Sequence, residues 1–254
     1  MNMDSFSTGA KFECLLFDMD DTLYPMSSGI NLACRHNIED YMGHQLSIKE
    51  SEVPKMCLDL YKEYGTTMAG LKALGYEFDY DEFHANVHGK LPYDKLKPDP
   101  VLKQLLLSMP QRKIIFTNAD KAHAAQVLSR LGLEECFEGV ICFETLNEVE
   151  DSKSDKRILC KPMLEAMEAA IRIAKIDPKK TIFFDDSARN IATGKAAGLH
   201  TVVVGTSVLV PGADVALESM HNVKEALPEI WEGTNQLDSD SVIQPASVET
   251  VVLA

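Results

Sequence analysis

Asp18 and Asp20 stand one residue apart directly after the apolar run Cys14–Phe17. In an extended chain alternate side chains share a face, so the two carboxylates converge while Met19 points away. Carboxylates that close do not both ionise easily; one stays an anion and the other tends to keep its proton unless a cation lies between them. This is an arrangement for a nucleophile beside an acid, with an acidic turn capped by Asp21 or Thr22 as the alternative. A second pair, Asp185 and Asp186, follows the run Thr181–Phe184 and precedes Ser187, Ala188, Arg189 and Asn190. Two acidic pairs brought side by side repel unless a hard cation separates them, and loosely constrained oxygen donors favour Mg2+. A helix cap by Asp186 would explain one of these two residues and leave Asp185 without a task.

Two further segments suit an anion. Thr117 and Asn118 follow the run Lys113–Phe116 and precede a helix, placing a hydroxyl and free helix-start amides at a strand end. Plain capping by Asn118 or Asp120 is the alternative there. Lys161 precedes Pro162, which is expected to fix the first turn of a helix over Pro162–Ala174 and leave the lysine at its mouth as a point charge for phosphate or carboxylate.

Apart from Lys161, placed before a helix, these residues follow short apolar runs, of which there are five: 14–17, 113–116, 140–142, 181–184 and 201–204. Such runs suit strands buried on both faces, and helical spacing between them, at Asp120–Leu131, Pro162–Ala174 and Ala188–Ala197, predicts a doubly wound α/β domain with a parallel sheet. Ligands bind such sheets outside the carboxyl ends of the strands, where the residues above are found. Roughly 95 residues separate the first two runs, against the ~10–15 that one crossover helix needs. The stretch from Ile30 to His88 has helical spacing (Ile30, Ala33, Cys34, Ile38, Tyr41; then Val53, Met56, Cys57, Leu60, Tyr64), so a small all-helical cap is expected after the first strand. The expected division is a core of residues 1–28 and 93–232, a cap of 29–92 and a flexible polar tail of 233–254. Ser27 to Gly29 and Gly89 to Pro100 would act as hinges, and Glu148 to Lys156 reads as a charged loop.

The chain has 254 residues with 39 acidic and 25 basic side chains, a formal charge of −14. Its average surface repels nucleic acid and anionic lipid, so an anionic ligand must be held by a few aimed groups. Six cysteines without a C-x-x-C pair read as buried thiols. With no basic-then-apolar start, no segment of transmembrane length and no N-x-[ST] sequon, a cytoplasmic location is expected. Neither a nucleic-acid polymer nor a membrane is an expected partner, and the protein is expected to be a monomer or homodimer.

In order, F-D18-M-D20-D-T22-L23, T117-N118, K161-P162 and D185-D186-S-A-R-N190 resemble the haloacid dehalogenase-like (HAD) phosphohydrolases over roughly residues 12–232. Thr117 and Lys161 are too close for a second insertion, which resembles members with a helical cap after the first motif, on a HAD-like Rossmannoid core. The stretches DDTLYPMSSGI, YGTTMAGL, HGKLPYDKLKPDP and FFDDSARNIATGKAAGL are similar to the pyrimidine 5′-nucleotidase branch of plants and fungi. Within it the chain looks closest to plant nucleotide phosphatases, including those acting on xanthosine monophosphate.

The resemblance implies Asp18 as nucleophile, Asp20 as acid and base, and phosphoryl oxygens held by Thr117, the amide of Asn118 and Lys161. It implies Mg2+ bound by Asp18, the main-chain carbonyl of Asp20 and Asp186, with Asp185 acting through a metal-bound water and Ser187 and Asn190 behind. The implied reaction is Mg2+-dependent hydrolysis of a nucleoside 5′-monophosphate through an aspartyl phosphate. Xanthosine monophosphate is favoured, with UMP or CMP, or a small sugar phosphate, as alternatives. A dehalogenase would have no use for Asp20, and a phosphomutase would need a base in the cap, for which His84 and His88 are candidates. From a different class, a regulatory module could bind nucleotides without turnover. Tyr24, Ser28, Tyr64, Thr66, Thr67 and Met68 are the expected contacts to the nucleoside.

Overall fold

Six parallel strands form one sheet in the order β3-β2-β1-β4-β5-β6, with β1 at Cys14–Phe17, β2 at Arg112–Phe116, β3 at Gly139–Ile141, β4 at Thr181–Asp185, β5 at His200–Val204 and β6 at Val215–Leu217. The computed structural model describes residues 11–147 and 157–232, so the expected polar loop and flexible tail lie outside the described residues. Phe17 of β1 is in register with Ile115 of β2 and Phe184 of β4. The chain therefore emerges from three adjacent strands at one edge, delivering Asp18, Thr117 and Asp185 side by side. The strand order reverses between β1 and β4, and such a switch point opens a crevice above the sheet.

Four helices lie between β1 and the next core element: α1 at Ile30–His44, α2 at Val53–Tyr64, α3 at Thr67–Ala73 and α4 at Tyr80–Val87. Thr66 and Asp79 cap α3 and α4 by accepting from the amides of Ala69 and Glu82. Tyr41, Phe78 and Phe83 form an aromatic knot among these helices, with Tyr41 and Phe83 ring centroids 5.0 Å apart. The remaining helices are α5 at Pro100–Ser108, α6 at Lys121–Leu131, α7 at Phe143–Leu146, α8 at Leu164–Ala174, α9 at Ala188–Ala196 and α10 at Val223–Ala226.

Alternation along the strands divides the core. Leu15, Phe17, Ile115, Ile182 and Phe184 pack with residues of α5, α6 and α10, while Cys14, Leu16, Ile114, Phe116 and Phe183 pack with α8, α9 and the cap helices. Both faces of the sheet are thus covered, as a doubly wound fold requires. Gly194 of α9 allows close packing there, because a Cβ would stand 2.7 Å from Phe183.

The five apolar runs are all strands. β6 is a sixth that periodicity misses: three half-exposed or buried residues at the sheet edge, pairing only with β5 and flanked by Asp214 and Glu218. The helix expected from Pro162 starts at Leu164, with Met163, in extended conformation, at the cap position. Similarly α6 starts at Lys121, with Asp120 outside it as its cap, and α9 ends one residue early, at Ala196. No helix among the described residues is long and apolar enough to cross a membrane.

Candidate active site

Lys161 is buried at the centre of the crevice, 2.6 Å from Asp18 Oδ1 and 2.8 Å from Asp185 Oδ2 through Nζ. Burial works against its charge, but Asp18 and Asp185 outweigh this and hold the ammonium above its ordinary value. Asp185 is fully buried at the end of β4. Besides Lys161 it accepts from Asn190 Nδ2 at 2.9 and 3.0 Å and from the amide of Ser187 at 2.8 Å. Ser187, not Asp186, occupies the cap position of α9, so capping does not account for Asp186. Asp185 thereby fixes the lysine that fixes Asp18, and Ser187 and Asn190 meet in this arrangement.

The carboxylate atoms of Asp18, Asp185 and Asp186 lie within 4.8 Å of one another. Burial pushes the Asp18 carboxyl up, Lys161 opposes this, and Asp185, Asp186 and Asp20 add to the rise. Burial and then Asp185 push Asp186 up to about 7. Asp185 is saturated by four donors at 2.8–3.0 Å, whereas Asp18 Oδ2 meets only the Thr22 hydroxyl, at a long 3.4 Å, so Asp18 and Asp186 are the carboxylates with capacity for a cation. Hard oxygen donors under mutual repulsion fit Mg2+.

Asp20 faces the same crevice with a different retinue. Its Oδ1 accepts from the Tyr24 hydroxyl at 2.5 Å and from His123 Nε2 at 2.8 Å. The Tyr93 hydroxyl lies 2.7 Å from His123 Nδ1 and donates to the carbonyl of His88 at 3.1 Å. When Tyr93 gives its proton to that carbonyl it can accept from Nδ1, the arrangement in which a charged His123 donates from both ring nitrogens. Burial raises Asp20, but the charge and hydrogen bond of His123 outweigh it and bring the carboxyl down to about 2. His123 is in turn held above its ordinary value by Asp20, against burial.

Thr117 and Asn118 complete the floor. Thr117 Oγ1 accepts from the amide of Ala119 at 3.0 Å, leaving its hydroxyl proton to give. The Asn118 side chain is engaged with the Lys161 backbone, donating to its carbonyl at 3.0 Å and accepting from its amide at 2.8 Å. This side chain braces the lysine turn and is not itself a free anion ligand.

The cap closes directly on that turn. Gly65, at φ +91°, lies so near that a Cβ would stand 2.6 Å from the Lys161 carbonyl. Arg189 of α9 donates to the carbonyls of Tyr61 and Lys62 at 3.2 and 2.9 Å and stacks on the Tyr61 ring at 4.6 Å, satisfying the open end of α2. From the other side Asn31 of α1 donates to Asp21 at 2.7 Å.

Between cap and core is a cavity of about 400 Å3. Asp18, Asp20, Thr117, Asn118, Lys161 and Asp186 line its floor, and Thr66, Thr67 and Met68 line the cap side. Tyr24 also lines it, but its hydroxyl is committed to Asp20. Ser28 and Tyr64 are not among the lining residues. Ser28 accepts from the Ile30 amide at 3.3 Å, and the Tyr64 carbonyl accepts from the Cys160 thiol at 3.3 Å. Sequence reasoning did not reach His123 or Arg35, which also line the cavity. The only sequence signal for His123 is its place three residues after Asp120, one turn into α6.

A family model described as haloacid dehalogenase-like hydrolase matches residues 12–198. The chain is 26% identical over 196 residues to "Phosphate metabolism protein 8" of Saccharomyces cerevisiae, covering 74% of this chain and 60% of that protein, so it spans less than two thirds of that relative. It is 23% identical over 203 residues to a glyceraldehyde 3-phosphate phosphatase of Pyrococcus furiosus, covering 76% of this chain and 80% of the relative. Its fold is similar to that of CbbY from Rhodobacter sphaeroides at a TM-score of 0.59 and 16% identity, over 86% of this chain and 99% of that one. With the match to the family model extending from β1 past α9, over all four motifs, the chain belongs to the haloacid dehalogenase-like hydrolases.

Proposed function

We propose that this protein is a Mg2+-dependent phosphatase that hydrolyses a nucleoside 5′-monophosphate, with xanthosine monophosphate the favoured substrate. The observation that carries the reading is the division of labour between Asp18, gripped by Lys161, and Asp20, gripped by Tyr24 and His123. Two carboxylates in one crevice are pushed toward different tasks by different partners.

Asp18 attacks phosphorus, forming an aspartyl phosphate as the bond to the ribose oxygen breaks. Asp20 touches the leaving oxygen and passes it the proton that the Asp20–His123 pair holds; in the second step it takes a proton from the water that hydrolyses the acyl phosphate, restoring Asp18. Lys161, the Thr117 hydroxyl and the Asn118 amide hold the phosphoryl oxygens. Asp18, Asp186 and the Asp20 carbonyl would hold Mg2+, which neutralises charge on the phosphoryl group and lessens its repulsion from Asp18.

The cavity supports an acidic base. Among the described residues Arg35 is the one guanidinium lining it; its Nε donates to Glu39 at 2.8 Å, so its Nη groups would be the donors for xanthine, whose ionised ring nitrogen and additional carbonyl such a group can recognise. A site that pairs with these groups would leave its own polar atoms unsatisfied against adenine. UMP and CMP are the second choice. The Pyrococcus furiosus relative's name favours a small sugar phosphate as a further reading. Phosphate release with Mg2+ across all nucleoside monophosphates and small sugar phosphates tests the assignment. The highest kcat/KM is expected for xanthosine monophosphate; equal values for it, AMP and a sugar phosphate would refute base selectivity, and no Mg2+-dependent release from any would favour a non-catalytic binding module.

A further inference from the structure

We infer that His84, His88 and Asp120 form a binding site for a divalent transition-metal ion of the Zn2+ class, joining cap helix α4 to the start of core helix α6. His84 and His88 are four residues apart at the carboxyl end of α4, where that spacing places both rings on one face. Facing them is Asp120, the cap of α6, whose Oδ1 is committed to the amide of His123 at 3.0 Å. The other oxygen, Oδ2, meets both histidines: it accepts from His88 Nδ1 and lies 3.3 Å from His84 Nδ1.

His84 is the informative residue. It is 9% exposed, and both of its ring nitrogens are buried without a hydrogen-bond partner. Its Nδ1 is near a carboxylate oxygen, yet their alignment makes no hydrogen bond. Buried polar atoms almost always have partners, and an orphaned one calls for an ion or other unseen group. A metal ion facing Nδ1 supplies that partner. Burial, followed by His88, brings His84 down to about 4, so near neutral pH the ring is uncharged, with a proton on one nitrogen and a lone pair on the other.

The three candidate donor atoms lie within 4.8 Å of one another. One ion at bond lengths of about 2.0–2.2 Å can engage three donors so grouped after small side-chain adjustments. Binding moves the His88 proton from Nδ1 to Nε2, which leaves the ring neutral and the donor free. Two imidazoles and one carboxylate select Zn2+, Co2+ or Ni2+ over Mg2+, so this site differs in kind from the all-oxygen corner at Asp18 and Asp186. Such an ion ties cap to core independently of the contacts made by Arg189 and Gly65.

The test is a Co2+ titration of the chelator-treated full chain in excess Mg2+, followed spectroscopically and then by Zn2+ displacement. One equivalent is expected to bind with ligand-field bands and no thiolate charge-transfer band, and to be displaced by Zn2+. His84→Gln and Asp120→Asn should each weaken binding by at least about tenfold. Asn at 120 keeps an oxygen for the His123 amide, so it serves if the His84 variant fails to fold. Absence of stoichiometric uptake, unchanged affinity in a folded variant, or a thiolate band marking a cysteine ligand would overturn the assignment.

Discussion

His123 Nε2 lies 2.8 Å from Asp20 Oδ1, on the same oxygen that accepts the Tyr24 hydroxyl. The proposed acid, Asp20, is therefore aimed by two side chains, one from the loop after β1 and one from α6. Replacing His123 with Gln keeps a donor but removes the reservoir for the shared proton. A fall in kcat of about 10- to 100-fold with little change in KM is expected from steady-state kinetics. An unchanged kcat would show that Asp20 works alone.

Asp186 is expected to report directly on the metal. Its carboxyl is pushed up to about 7 by burial, then by Asp185, so without metal it is charged above that pH and takes up a proton below it. Proton and Mg2+ then compete. The Mg2+ titration midpoint of activity should rise as pH falls from about 8 to about 6, and Asp186→Ala should raise it further and remove most of this dependence. A midpoint that moves in neither experiment would exclude Asp186 as a ligand.

Lys161→Met leaves Asp18 and Asp185 buried without their shared cation. Breaking such a buried pair costs about 3–5 kcal/mol, to be read as a lower urea midpoint alongside loss of turnover. Arg at this position should not restore activity, since its wide planar head does not fit the space of a buried ammonium held between two carboxylates. Wild-type urea stability in Lys161→Met would contradict the bracing role.

Gly65→Ala introduces a methyl 2.6 Å from the Lys161 carbonyl at a φ of +91°. A stability loss of about 1–3 kcal/mol is expected from the strained backbone, accompanied by lower kcat/KM because the cap can no longer seat against the lysine turn. Calorimetry and kinetics on the purified variant check both effects.

The legible part of the site is that which follows directly from strands. Asp18, Thr117 and Asp185 each leave an apolar run, and one register carries all three to one edge. Local pattern could not show contacts closing over long chain distances, such as Tyr93 on His123 within the core or His88 on Asp120 between cap and core. Tyr24 was legible as a residue near the site but not in its task, because its partner Asp20 is chosen by the turn through Asp21, whose φ is +58°. β6 escaped because its apolar stretch, Val215–Leu217, is three residues long with one β-branched residue and no aromatic, bounded by Asp214 and Glu218, and the helix start that proline alone suggests lies later because Met163 is extended and takes the cap position.

The central claim is that Asp18 is the nucleophile. Acid quenching of the protein during turnover of xanthosine monophosphate with Mg2+, followed by peptide mapping, reads this directly. A phosphoryl group on the peptide containing Asp18 is predicted, with neither label nor turnover in a folded Asp18→Asn variant, whose amide keeps the shape but is a far weaker nucleophile. Substantial activity in Asp18→Asn, or a phosphoryl group on another residue, would contradict the account.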